Sequence, residues 1–143
     1  MLLGKHENSI DAKNRMIIPA KFRDDLGYKV IITKGLDECL IIFPMATWEK
    51  QEEVLAGLPM SDPKTRAFKR YIYASASECE IDKQGRILIP SVLKNAANLS
   101  KELVTIGSLD RVEIWAKEKY DNDENGGKLN AEDFADFSDK YQV

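Results

Sequence analysis

The pattern of hydrophobic and polar positions along the chain repeats itself after 71 residues. Residues 10–19, IDAKNRMIIP, return as residues 81–90, IDKQGRILIP, and five of the ten positions are identical. Internal repetition of this kind determines the architecture before individual residues are considered. The pattern predicts two copies of one small unit, and each copy places an Asp and an Arg at the same spacing.

Each copy has the pattern of a strand, a turn, a second strand, a short helix and a hairpin. Residues 5–18 predict the first two strands. A helix should follow, with Pro19 at its first helical position, and stop at Gly27. The corresponding helix of the second copy lies between Pro90 and Asn98. The hairpins are predicted at residues 30–43 and 103–115, the second with its turn at residues 107–110.

Three further helices are predicted outside the repeats. The first runs from Pro44 to about Leu58, and the second from Pro63 to about Ala74. The third starts at an Asn130 cap with Asp133 at the capping-box position. Residues 122–127 read as a flexible linker. In the first helix, the side chains expected to face the core are Trp48, Val54 and Leu55. The third helix is amphipathic, and its apolar residues are Phe134, Phe137 and Tyr141.

The size of the chain indicates how the copies are arranged. With 143 residues in total, each repeat has only about 45, too few to bury a sufficient core alone. We therefore predict an α+β fold, a β-rich pseudo-dimer of two swapped-hairpin-like repeats with connecting helices. The predicted divisions are repeat one at 5–47, a helical connector at 48–75, repeat two at 76–119 and an acidic tail or helix at 120–143.

Composition favours a cytoplasmic protein. No run of 18 apolar residues occurs, and the first six residues do not form a signal peptide. Cys39 and Cys79 lie in unrelated contexts, and free thiols are favoured over a disulfide. The net charge is −3, but residues 121–143 carry −5, which leaves +2 for residues 1–120. Binding to a polyanion would therefore depend on local clusters of positive charge.

The repeated Asp-x-x-x-Arg has two compatible interpretations. In the structural one, Asp11 and Asp82 accept hydrogen bonds within a turn and pair with the arginine. In the functional one, the turn presents Arg15 and Arg86 on a surface, where the planar guanidinium suits phosphate or guanine O6 and N7. Asn14 and Gly85 occupy the same place in the two turns. Both residue types accept a positive φ, so a shared left-handed position is expected.

Positive charge near the two turns is unequal along the sequence. The candidate DNA-binding residues are Arg15, Arg86, Lys13, Lys5, Lys21 and Lys83. Copy one also has His6 and Arg23, whereas copy two has Lys94 and carries Gln84 in place of Lys13. We therefore expect copy one to be the stronger anion surface, although a solvated charged face would give the same count. A basic cluster at residues 64–70 is interpreted as the polar side of a connecting helix.

Catalysis and metal binding are not expected. The single histidine excludes a His-rich metal site and a duplicated His-based active site. A two-carboxylate hydrolase built on Asp11 and Asp82 is disfavoured, because a nearby arginine lowers rather than raises the pKa of a carboxyl group. The sequence has no Gly-rich phosphate loop and no serine elbow. We expect a non-enzymatic protein without a cofactor.

The duplicated Asp-x-x-x-Arg with its hydrophobic-Pro exit resembles the SpoVT-AbrB motif, and the order of the pieces resembles the MraZ family of bacterial transcriptional regulators. The likeness covers roughly residues 1–120. It rests on the stretches 11–15, DAKNR, 77–90, SECEIDKQGRILIP, and 107–115, GSLDRVEIW.

The resemblance implies a ring of several chains that binds short direct repeats in the promoter of the division and cell-wall gene cluster, at the nucleoid. It places Arg15 and Arg86 at the motif arginines, Asp11 and Asp82 at the motif aspartates, and Lys13 at the first basic position. The alternative hypothesis is a ring-forming interaction module or antitoxin-like adaptor. Its Asp-x-x-x-Arg would be purely structural, with Phe134, Phe137 and the acidic tail as the working surface.

Overall fold

A computed structural model describes residues 1–122 and 129–143. The strands in this part of the chain are β1 (Leu2–Ser9), β2 (Arg15–Ile17), β3 (Lys29–Lys34), β4 (Leu40–Pro44), β5 (Ser77–Glu80), β6 (Arg86–Leu88), β7 (Glu102–Leu109) and β8 (Val112–Ala116). The helices are α1 (Ala20–Leu26), α2 (Met45–Ala56), α3 (Pro63–Ser75), α4 (Ser91–Ala96), α5 (Lys117–Asn122) and α6 (Ala131–Tyr141). This mixture of helices and antiparallel strands confirms the α+β class.

The main sheet exchanges strands between the two repeats. Its order is β1-β7-β8-β4-β3-β5, and every pairing is antiparallel. The first strand of repeat one, β1, pairs with the hairpin of repeat two, and β5 of repeat two pairs with the hairpin of repeat one. The two hairpins meet at the centre, where Ile41 lies opposite Glu113. This exchange confirms that the repeats pack together as a pseudo-dimer.

A separate two-stranded ribbon joins the two Asp-x-x-x-Arg segments. Strands β2 and β6 run antiparallel, with Met16 opposite Ile87. The Ile18 N–H donates to the Gly85 carbonyl at 2.8 Å, and the Ile89 N–H donates to the Asn14 carbonyl at 2.8 Å. Met16 and Ile87 are equivalent positions of the two repeats, so an approximate two-fold axis passes between them.

The principal core lies between the main sheet and a layer formed by the ribbon, α1 and α4. Side chains alternate between the two faces of a strand, so every second residue of the sheet strands enters this core. Full burial of each such aliphatic or aromatic side chain stabilises the fold by roughly 1.5–3 kcal/mol. Its largest fully buried members are Leu2, Met16, Ile18, Phe22, Ile32, Leu40, Ile42, Ile87, Ile89, Leu93, Leu103 and Ile114.

The opposite face of the main sheet is covered by α2, α3 and α5. Trp48 of α2 packs on Phe43 and Ile31, and its ring meets that of Phe43 at a centroid distance of 5.5 Å. Under α5, Tyr120 packs against Trp115 at 6.1 Å. These contacts place the helices on the side of the sheet away from the ribbon.

Four local predictions were wrong. Val54, expected to face the core, is 63% exposed, because Trp48 and Leu55 define the buried side of α2. Strand β7 continues through the predicted 107–110 turn as far as Leu109, since β1 pairs with it along its whole length. For the same reason β1 begins at Leu2. The two prolines precede α1 and α4 as cap residues rather than occupying their first turn.

Helix α5 was not predicted. Its sequence, KEKYDN, offers a single apolar side chain, so no helical hydrophobic pattern marks it. Asn122, placed in the predicted linker, is the last residue of this helix, and residues 123–127 lie outside the described part of the chain. None of the described helices has the length and apolar character needed to cross a membrane.

A candidate nucleic-acid interface

The first Asp-x-x-x-Arg forms a turn closed by its aspartate. The Asp11 carboxylate accepts the backbone N–H groups of Lys13 at 2.8 Å and Arg15 at 2.9 Å. Asn14 has a φ of 62°, as expected for a left-handed turn position. The hydrogen bond from the Arg15 backbone N–H is the main cause that lowers the pKa of Asp11 below its usual value.

The second turn reproduces this geometry. The Asp82 carboxylate accepts the backbone N–H groups of Gln84 at 2.9 Å and Arg86 at 2.8 Å, and Gly85 has a φ of 81°. The backbone hydrogen bond from Arg86 again lowers the pKa of the aspartate. The structure thus contains the hydrogen bonds that the structural interpretation expects, in both copies.

Each aspartate also holds its arginine side chain. Nε of Arg15 donates to Asp11 Oδ2 at 3.2 Å, and Nε of Arg86 donates to Asp82 Oδ2 at 2.8 Å. These bonds use the Nε–H, so both terminal amino groups of each guanidinium can point away from the turn. The two arginine side chains are 32% and 33% exposed. Neither is sealed inside the chain.

The ribbon collects both arginines on one surface. Met16 and Ile87 face the core, and the neighbouring side chains alternate to the other side. There Arg15 lies opposite Leu88, and Arg86 lies opposite Ile17. We call this set of four side chains the outer face of the ribbon. Its two aliphatic members are 55% (Ile17) and 58% (Leu88) exposed.

Reading the sequence alone did not identify Ile17 and Leu88 as surface residues. They belong to the strands Arg15–Ile17 and Arg86–Leu88, and each is followed by a further apolar residue, so residue type alone does not separate the exposed side chains from the buried ones. The signal that was available is the period of two: in a three-residue strand whose middle residue is buried, the flanking side chains face away from the core. The outer face therefore combines two guanidinium groups with two exposed aliphatic groups.

A cation from each repeat supports the turn of the other repeat. Lys94 of α4 donates from Nζ to the Asn14 side-chain oxygen at 3.1 Å. At the equivalent place, the Arg23 guanidinium lies directly against Gly85, where no side chain intervenes, and its Nε donates to the Ile18 carbonyl at 3.0 Å. Arg23 and Lys94, which were counted as surface cations from the sequence, thus act in supporting the turns.

The structure does not bring all the predicted cations together. Lys5 lies on the helical face of the main sheet, with Nζ 5.4 Å from the centre of the Tyr120 ring. His6 points the other way and meets Phe22 edge-on at 5.2 Å. Lys21 of α1 is exposed on the ribbon side of the sheet, with its Nζ near Gly4.

Charge at the two turns is balanced. Each motif arginine is offset by its own aspartate. The net positive charge at each turn therefore comes from one exposed lysine, Lys13 or Lys83, and from the cation of the other repeat that lies against the turn, Lys94 or Arg23. Since Lys5 lies behind the main sheet and Arg23 lies at the second turn, the basis for a stronger first copy is reduced to Lys21.

The aspartates of the two turns do not have the raised pKa of a catalytic acid. The hydrogen bonds from the motif backbone lower the pKa of Asp11 and of Asp82, whereas a general acid needs a raised pKa. Within residues 1–122 and 129–143, no cluster of three or more His, Cys, Asp or Glu side chains could hold a metal ion.

Comparison with known proteins identifies the family. The family model described as "MraZ protein, putative antitoxin-like" matches residues 1–71 and 72–137. The chain is 46% identical over 143 residues to the transcriptional regulator MraZ of Caldanaerobacter subterraneus subsp. tengcongensis, covering all of both chains. It is 49% identical over 127 residues to that of Clostridium tetani, covering 87% of this chain and 89% of the other.

These relatives are named as regulators, which agrees with the prediction of a non-enzymatic protein. The two matched segments meet between residues 71 and 72, so the repeat found in the sequence is the repeat of the family. The two copies of the turn, the period of the repeat and the full-length identity lead to one conclusion: this chain belongs to the MraZ family.

Proposed function

We propose that the chain is a transcriptional regulator that binds specific double-stranded DNA through the outer face of the β2–β6 ribbon. The observation that carries the proposal is the pair of arginines, Arg15 and Arg86, on one exposed two-stranded ribbon. A two-stranded β-ribbon fits the major groove of B-DNA, and several DNA-binding proteins read bases in this way.

The chemistry of the outer face suits base recognition. An arginine donates two parallel hydrogen bonds to O6 and N7 of guanine, and an aliphatic side chain contacts the methyl group of thymine. In this chain the Nε–Asp bonds fix the direction of Arg15 and Arg86, so less side-chain entropy is lost on binding. Ile17 and Leu88 would supply the apolar contacts, while Lys13 and Lys83 would contact phosphates.

Self-association would compensate for the small number of DNA contacts that one protomer makes. A protomer with few phosphate contacts binds one site weakly, whereas a ring presents several ribbons to successive repeats at high effective concentration. We propose such a ring on direct repeats in the promoter of the division and cell-wall gene cluster, acting in the cytoplasm at the nucleoid.

The test is a fluorescence titration of the DNA immediately upstream of the coding region with wild type, Arg15→Ala and Arg86→Ala. Loss of a bidentate arginine costs about 1–3 kcal/mol, so affinity should fall about 5- to 150-fold for each variant. Because the two turns match in geometry and charge, we expect similar losses, whereas the sequence alone predicted a smaller effect for Arg86. Size-exclusion chromatography would show that the oligomer is intact.

Arg111→Ala is the matched control. Arg111 also pairs with a neighbouring aspartate, Asp110, through Nε at 2.9 Å, but it lies at the β7–β8 turn, away from the ribbon. Its removal should leave affinity within about twofold. Unchanged affinity of Arg15→Ala at moderate salt would refute the ribbon as the contact surface. Lys13→Ala should instead reduce the slope of affinity against salt by about one.

The alternative, an interaction module, is tested by deleting residues 122–143. Retained DNA binding with loss of a protein partner would mean that the two functions are separate. If the full-length chain does not bind DNA and the deletion removes binding to a protein partner, the result would favour the adaptor function alone.

A further inference from the structure

Helix α6 carries an apolar face that the described chain leaves exposed. Phe134, Phe137 and Tyr141 follow each other at spacings of three and four, so they share one side of the helix. They are 61%, 53% and 54% exposed. Contiguous apolar surface rimmed by polar groups marks an interaction site in soluble proteins.

The helix itself is well defined by local interactions. The Asn130 side chain accepts the Asp133 backbone N–H at 2.8 Å, and the Asp133 carboxylate accepts the Asn130 backbone N–H at 3.2 Å. This capping box fixes the first turn. At the other end, the rings of Phe137 and Tyr141 meet at 4.5 Å. The apolar face is therefore presented on a formed helix.

Acidic groups border this face. Asp133 and Asp136 line the same shallow depression as Phe137, Leu129 and Lys140. Along the whole helix there are four carboxylates, at positions 132, 133, 136 and 139, and one lysine, Lys140. A partner surface should therefore have an apolar centre with a positively charged rim.

Helix α3 has such a surface. A depression of about 290 Å³ lies between α3 and the loop before it, and we call it the α3 groove. Its apolar part comes from Met60, Tyr73 and Ala74, and its rim from Arg66, Lys69 and Arg70.

The rim cations of the α3 groove are partly ordered by the groove itself. Arg66 donates from Nη1 to the Met60 carbonyl at 2.8 Å, and Lys69 places its Nζ 3.2 Å from the Met60 sulfur. Tyr73 is held edge-on to Trp48 at 5.9 Å. The groove is thus a preformed feature whose charge and polarity complement those of α6.

We propose that α6 of one copy docks in the α3 groove of a second copy. The main argument is the charge complementarity of the two surfaces. Both surfaces belong to the same chain, and each is exposed in a single copy. The two surfaces differ, so the contact is heterologous and repeats from copy to copy until a ring closes. This inference rests on the proposed self-association and identifies the two surfaces through which the copies would bind each other.

Charge reversal tests the contact on the full-length chain by light scattering after size exclusion. Arg70→Glu and Asp136→Arg should each weaken association at least tenfold, and the double variant should restore much of it. Lys64→Glu is the matched control: it makes the same charge change on α3, on the side of the helix away from the groove, and should have no effect.

The outcomes separate the two proposals. A wild-type chain that stays monomeric at all concentrations would refute self-association and this contact together. Oligomers of unchanged mass in both charge-reversal variants would refute the contact alone, and self-association would then use another surface. The ribbon carries none of the changed residues, so a variant that no longer associates should keep the DNA contacts of each protomer and lose only the affinity gained by linking several ribbons.

Disulfide trapping tests whether α6 docks on a second copy or on its own chain. Two variants, Ala74→Cys and Phe137→Cys, are mixed and oxidised, and one of them carries a larger tag so that the two chains differ in mass. The wild-type chain, treated in the same way, shows the disulfides that its two native thiols form. Docking between copies gives a mixed disulfide of both chains. If the mixture gives none, while a chain carrying both cysteines closes an internal disulfide, the helix folds back on its own chain and the proposal is wrong.

Discussion

Replacing Gly85 by alanine tests how the two repeats support each other at the turns. Gly85 has a φ of 81°, where an L-residue costs roughly 1–2 kcal/mol. Part of this is offset, by about 0.4–1 kcal/mol, because alanine restricts the unfolded chain. The backbone effect alone should therefore destabilise the protein by about 1 kcal/mol.

The larger effect comes from Arg23. A Cβ at Gly85 would overlap the Arg23 guanidinium, which would have to leave its hydrogen bond to the Ile18 carbonyl. A hydrogen bond from a charged donor contributes about 1.5–3 kcal/mol. Since the contact is partly exposed to solvent, the lower part of that range applies. Gly85→Ala should lower the free energy of unfolding by about 2–4 kcal/mol in total.

The assay is thermal and urea unfolding of a double-mutant cycle. For 143 residues, 1 kcal/mol corresponds to about 3 °C in Tm, so Gly85→Ala should lose roughly 6–12 °C. With Arg23→Ala already present, the overlap is gone and the same change should cost only about 1 kcal/mol. Additive effects, within about 0.5 kcal/mol, would refute the idea that Arg23 rests on this turn.

Two further predictions concern ionisable groups. The backbone hydrogen bonds that lower the pKa of Asp11 and Asp82 make the folded state bind fewer protons than the unfolded state, so stability rises with pH. That stabilisation should be complete above about pH 5 and lost progressively at lower pH. A variant with both residues changed to Asn should show a flatter Tm profile there. Burial raises the pKa of Cys39 to about 12, so alkylation of the native protein should modify the less buried Cys79 first.

Local chemistry was enough to predict most of the elements. The first hairpin, the end of α1 at Gly27 and the capping box of Asn130 and Asp133 each depend on residues close together in the chain, and each was confirmed. The shared left-handed position of Asn14 and Gly85 also followed from residue type alone. Such features are readable because a turn or a cap is decided by a few neighbouring dihedral angles.

The parts that were missed depend on distant residues. The partner of β1 is a strand about 100 residues away, and this pairing is what carried β7 through its predicted turn. The position of Lys5 behind the main sheet follows from the same pairing. Likewise, the packing of Arg23 on Gly85 depends on the fold, so counting cations along the sequence assigned Arg23 to the wrong role.

The exchange of strands explains how the two turns can differ in sequence and keep one geometry. Each turn is supported by the other repeat, so a change in one copy can be matched by a change in the residue that contacts it. Glycine at position 85 leaves room for the broad guanidinium of Arg23, whereas Asn14 offers an oxygen to the ammonium group of Lys94. The backbone of the turn is the same in both cases. Because one ribbon carries strands from both repeats, either difference preserves the relative position of the two motif arginines.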